Sequence, residues 1–308
     1  MSLESIIYRG QIISTGAAQT INFNGGFDEF VLRNRTTLAA GAGIIESKYW
    51  LGMANGTAET KTVAAGLITD NIIAAGGFTA VDSSTATLGA PIAVTAVTAA
   101  NPAVASTATT PTAGQIVRLY GSTGMLQIAG MDFTVGTVVA GVSFQLAYMN
   151  AAGFAAPATA GTYRLVPVDS TYYPRMRYIT NITQAANAVV TMSVVHDFVA
   201  GEKISIRCPA AFGMTQINNL TGTIQSVNTV TNTITLDINS SAFTAFAFPT
   251  SAVAAAGITF PQVVPVGELG PLLTGAVRDV GRRSIFIGAS VAGTAGDVMD
   301  YWFKRSDT

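Results

Sequence analysis

Apolar and polar residues alternate one by one through much of the second half of the chain. In 202–208, Ile204, Ile206 and Cys208 alternate with Lys203, Ser205 and Arg207, the period of a strand with one buried face. In 232–239 the inward set is Ile234, Leu236 and Ile238, with Thr233, Thr235 and Asp237 facing out. The runs 189–195 and 222–227 read the same way. Threonine suits the outer positions because its β-branched side chain fits a pleated surface without carrying charge. Turn signals separate these runs at Ala200-Gly201, Asn218-Asn219, Thr221-Gly222 and 228–232. The Ala-rich stretch 93–108 has helix propensity, but Thr, Pro and Val interrupt it and no apolar stripe forms. The pattern predicts an all-β protein.

The chain also matches itself over about ninety residues. Val94–Val97 and Ala100–Val104 reappear as Ile179–Ile182 and Ala186–Val189. Gly114–Leu119 matches Gly201–Ile206, and Gly124-Met125 through Ile128 matches Gly213-Met214 through Ile217. Phe133–Val135 falls on Gly222–Ile224, Ser143–Tyr148 on Thr233–Ile238, and Phe154 near Phe243 or Phe246. The offset drifts slowly, as loop insertions between equivalent strands would make it. This predicts two small β-barrel or sandwich modules in tandem, at 91–173 and 174–262. The outer segments, 1–90 and 263–308, carry further strand candidates at 11–14, 20–23, 27–33, 284–287 and 298–303. They are expected to pair as one discontinuous terminal β domain into which the modules are inserted.

The second copy resembles a known module. Its His196–Ile206 run, Gly213–Asn218 and Ser226–Leu236 are similar to the β-barrel called the first catalytic-cysteine half-domain of ubiquitin-activating enzymes. Similar modules recur in structural proteins of tailed bacteriophages, where there is no ubiquitin chemistry. The first copy departs from the pattern, with Thr110 or Pro111 near the His position and Gly130 opposite Asn219. With the flanking segments 30–37 and 297–302, the whole chain resembles virion proteins of tailed phages. The resemblance implies a non-enzymatic structural part. That part is a capsid decoration or head-attached protein assembling in many copies, or alternatively a tail component or receptor-binding fibre. Its implied partners are copies of itself and other virion proteins, with a host-surface glycan for the fibre reading. The implied location is the virion, after synthesis in the host bacterial cytoplasm.

Composition narrows the chemistry. Only 11% of the 308 residues are charged, against about 25% in an ordinary soluble domain. The formal net charge is -1, which argues against a nucleic-acid binder. One His and one Cys cannot build a Cys/His zinc site or an intrachain disulfide. No apolar run approaches the roughly 18 residues of a membrane span, since 252–260 runs into Pro261. For want of such a run no membrane partner is expected; the opening residues do not read as a signal peptide, so the Asn181 and Asn219 sequons carry no weight. No paired carboxylates, calcium loop or phosphate-cradling Gly-Lys pattern appears. No catalytic residue, cofactor or metal is expected.

Several residues still ask for a role. His196 beside Asp197 could suggest acid–base chemistry, but its place at a strand end before a Gly turn favours a turn-stabilising role. Cys208 shares a face with Ile204 and Ile206 and reads as a buried, inert thiol. The basic pairs Arg175/Arg177 and Arg282/Arg283, like Arg33/Arg35, read either as contacts to a neighbouring subunit or as solvated strand faces. Phe243 and Phe246, at the tip of a hairpin, are the candidate glycan-recognising side chains. Tyr49-Trp50 and Tyr301-Trp302-Phe303 read as core of the terminal domain rather than as interface aromatics.

Overall fold

A computed structural model describes residues 4–23, 26–82, 88–166, 177–254, 259–268 and 283–306. Strands come first as β1 (Glu4–Ile13), β2 (Gln19–Asn22), β3 (Glu29–Asn34), β4 (Gly43–Trp50), β5 (Thr57–Ala64) and β6 (Leu67–Asp82), with the single-turn helix α1 (Arg35–Ala40) after β3. Next come β7 (Ile92–Val94), β8 (Ala96–Val97), β9 (Ala103–Ser106), β10 (Ile116–Thr123), β11 (Asp132–Val139), β12 (Ser143–Leu146) and β13 (Ala160–Leu165). The chain continues through β14 (Ile179–Ile182), β15 (Val189–Met192), β16 (Lys203–Arg207), β17 (Thr221–Asn228), β18 (Thr233–Leu236), the short helix α2 (Ser251–Ala254) and β19 (Gln262–Pro265). Last come β20 (Arg283–Ile287) and β21 (Val298–Ser306). The protein is all-β.

These strands form three antiparallel sheets. The first has the order β1-β21-β3-β4-β5-β6-β20-β2, so it joins strands from both outer segments. Its alternation is clean in β4, where Ile45, Ser47 and Tyr49 point in while Glu46, Lys48 and Trp50 point out. The sheet curls around an aromatic core in which Phe23 stacks on Phe303 at 4.1 Å and Phe30 meets Phe78 edge to face.

The other two sheets share one plan. The first runs β13-β10-β11-β12-β9-β8, with β7 added beyond β13, and the second runs β19-β16-β17-β18-β15-β14. The registers agree residue for residue. Val117 faces Phe133 as Ile204 faces Gly222, and Phe144 faces Ala105 as Ile234 faces Val190. Each copy places a buried Met, Met125 or Met214, before a one-turn 3-10 segment. The preceding Gly124 and Gly213 both have positive φ, and a Cβ on either would strike backbone of the loop that follows the last hairpin. Gly130 and Asn219 are also equivalent: both are left-handed, and their N–H groups bond Leu119 O and Ile206 O. The apparent departure at Gly130 is therefore one backbone geometry filled by the two residue types that tolerate it best.

Two expectations need correction here. The stretch 263–265 belongs to the second module, because β19 pairs with β16 and not with the terminal sheet. Ser205 is buried between its exposed face-mates Lys203 and Arg207, so of the three residues expected to face out only the two charged ones reach solvent.

Candidate functional site at the joint of the second module and the terminal sheet

The turn after β19 carries the second module onto β1. Gly10 and Gly267 meet there with almost no space between backbones, so a Cβ on Gly267 would lie 2.6 Å from Gly10 Cα. The absence of both side chains lets Tyr301, paired with Gly10, donate its hydroxyl to Val266 O at 2.9 Å. Burial pushes the Tyr301 phenol well above its ordinary value.

A cluster of charges sits beside this contact. Arg177 lies just before β14 and Glu268 just after β19; the backbone bond from Val263 N to Arg177 O aligns the two segments. Arg177 Nη1 donates to Glu268 Oε2 at 2.7 Å, and Nη2 lies 3.9 Å from Asp197 Oδ1. The guanidinium also covers the Phe198 ring, 5.0 Å from its centroid. Glu202 accepts from Val199 N at 3.1 Å and closes the turn before β16. Burial pushes the Glu202 carboxyl up to about 7, with Asp197 and Glu268 adding to the rise against the pull of the Val199 N–H and Arg177. Burial also raises Glu268, opposed by its bond to Arg177. Burial works against the Arg177 charge, but the three carboxylates outweigh it and keep the guanidinium protonated. A buried pair of this kind holds segments in place; it is not an open catalytic cleft.

This arrangement predicts a pH dependence. A carboxyl whose folded value lies above its ordinary 4.5 binds more protons in the folded chain than in the unfolded one, so stability falls as pH rises from 4.5 to about 7. For Glu202 the loss is on the order of 3 kcal/mol across that window. Glu202→Gln keeps an acceptor for the Val199 N–H and should remove the Glu202 share of the slope, leaving the share of Glu268, which is raised over the same window. Urea unfolding of both chains at pH 5 and pH 7.5 measures it; parallel slopes would refute the assignment.

The basic candidates divide. Arg177 is not available to a neighbouring subunit, since its charge is committed inside the chain. Its counter-ion was hidden in the sequence because Glu268 is 91 residues away. Arg175 and Arg282 lie outside the described residues. Arg283 opens β20 opposite Asp82, and its side chain is likewise outside the description.

Phe243 and Phe246 do not project from a tip. The segment after β18 is a loop folded back on the module, where both rings pack against the core. Phe246 stacks on Phe212 at 5.9 Å and meets Phe248 edge to face. The tryptophans are also corrected. Tyr49, Tyr301 and Phe303 are core, but alternation puts Trp50 and Trp302 on the outer face, where Arg33 lies over the Trp302 ring at 5.2 Å.

His196 acts on its own turn. Its ring Nδ1 accepts from Phe198 N at 3.2 Å, and its backbone N–H donates to Asn232 Oδ1 at 3.2 Å. Asn232 in turn donates to Met192 O and Val194 O. Cys208 is 1% exposed and burial pushes its thiol up to about 11, so it stays protonated near neutral pH.

Two features escaped the sequence reading. The first is the ion pair Arg118–Asp132, with Nε to Oδ1 at 2.6 Å and Nη2 to Oδ2 at 3.1 Å, both side chains 1% exposed. A charge in mid-strand, in a chain with few charges, was the available signal. The second is the turn joining β5 and β6 together with the first half of β6. Leu67, Ile68 and Ile72 are 73%, 65% and 68% exposed there. No protein-family description matches the chain, and no curated protein matches it either.

Proposed function

We propose that the chain is a structural component of a tailed-phage virion, a capsid decoration or head-attached protein that assembles in many copies. The observation that carries this reading is the exposed apolar edge at Leu67, Ile68 and Ile72. Large apolar side chains grouped at a free strand are costly for an isolated subunit and useful to one that is covered by a neighbour. The paired modules, and the resemblance of the second to modules of phage structural proteins, support the same reading. The inward packing of Phe243 and Phe246 takes away the residues on which the glycan-binding alternative rested.

Imaging of purified particles tests it. Particles made with and without this subunit should differ by density at regular positions on the head. Density confined to the tail would move the protein to a tail component. A subunit absent from purified particles would overturn the reading.

A further inference from the structure

The exposed edge has a counterpart on the same chain. A groove of about 630 Å³ runs beside β1, lined by Ile6, Arg9, Arg35, Lys203, Val266 and Trp302 among others. Its floor is apolar, and Ile6 is itself 59% exposed. Its rim is basic. Arg9, Arg35 and Lys203 converge on it, against the single carboxylate of Asp300, which Arg35 and Gln11 already engage.

The outer face of the β5–β6 hairpin is apolar at Ile68 and Ile72 and carries two carboxylates, Glu59 and Asp70, against one ammonium, Lys61, which stands opposite Asp70. Leu67, Ile68 and Ile72 are apolar, and Asp70 lies between them on the edge strand. A two-residue turn at Ala65 and Gly66, both at positive φ, makes the tip stiff. Among the described residues, the first half of β6 pairs only with β5, whereas its second half is covered by β20. Within one molecule β6 and β1 are separated by β5, β4, β3 and β21, about 24 Å along the sheet at ordinary strand spacing. A stiff tip cannot reach the groove of its own chain across that distance.

We propose that the β5–β6 tip of one copy seats in the β1 groove of the next, with the face that carries Ile68, Asp70 and Ile72 turned to the groove, the two Ile on apolar lining and Asp70 toward the basic side chains. This deepens the assembly reading above and rests on it. The contact is heterologous, so repeated copies form a closed ring or an open row.

The 308-residue chain provides the test. Its single cysteine is buried, so an introduced thiol reacts alone. Under mild oxidation, a mixture of Ile68→Cys and Ile6→Cys chains should give a disulfide-linked heterodimer, while each variant alone should not. Asp70→Lys and Lys203→Glu should each weaken concentration-dependent association about tenfold or more, and the two together should restore most of it.

An Ile68→Cys chain that cross-links with itself would mean tip-to-tip packing and overturn the proposal. So would a chain that stays monomeric at every concentration. A monomer whose groove instead retains a heparin oligosaccharide, lost in Arg9→Glu, would give the groove to an acidic sugar and also overturn it. Incorporation into particles is scored separately. Particles that carry Asp70→Lys subunits in normal amount would refute the tip contact and leave the virion reading standing; association in solution without incorporation would do the reverse.

Discussion

Asp132→Ala should destabilise the chain by about 3–5 kcal/mol, the usual cost of leaving a buried charge without its counter-ion. Arg118 occupies the middle of β10, between β11 and β13, and Asp132 is its register partner. The guanidinium cannot shed its proton, and at 1% exposure it cannot turn to water. The second module supplies a natural control, because the equivalent of Arg118 is Ser205 and that of Asp132 is Thr221. The sheet therefore holds its register without the ion pair. A chain with both Arg118→Ser and Asp132→Thr should lose much less than Asp132→Ala alone, in urea unfolding at neutral pH. A single variant within 1 kcal/mol of the parent would mean that the pair is not buried as described.

Asn232→Ala should cost about 3 kcal/mol through a different route. The side chain is 1% exposed and makes three hydrogen bonds, accepting from His196 N and donating to two carbonyls of the preceding strand end. Leaving buried groups unsatisfied costs roughly 1–3 kcal/mol in each case. The backbone adds to this, because φ is +54° and Ala dislikes that region more than Asn does. Asn232→Gly removes the same hydrogen bonds without the backbone penalty, so it should be about 1 kcal/mol milder. Thermal unfolding of the three chains separates the two contributions. Equal losses for Ala and Gly would mean that the left-handed backbone carries no cost.

Alternation made the strands legible. Ile204 and Ile206, or Phe144 and Leu146, mark their faces because a strand shows every second side chain to the core. The self-match went further than strand positions: the aligned pairs Val117/Ile204 and Phe133/Gly222 hold equivalent places in the two ladders. Gly and Asn positions were informative where the backbone turns left-handed, as at Gly130 and Asn219.

What failed were statements about neighbours far away in the chain. Arg177 read as a surface charge because nothing local reveals Glu268 closing over it. Phe243 and Phe246 read as a tip because the loop's return to Phe212 is a tertiary event. Ser205 read as exposed because alternation gives the face of a small side chain but not whether larger neighbours on that face shield it. The groove beside β1 draws Ile6, Lys203 and Trp302 from three separate regions, and no linear pattern anticipates that.

The two modules do not keep separate interiors. One continuous apolar cluster runs from Val94 to Val263, and Phe154 of the first copy meets Phe248 of the second at 5.4 Å. Ser251 of the second copy bonds Gly124 and Gln127 of the first, and Thr134 exchanges bonds with Ser193 and Val195. The two halves share one interior. Removing either one would lay bare the apolar side of its twin, so the doublet is expected to unfold as a single cooperative unit.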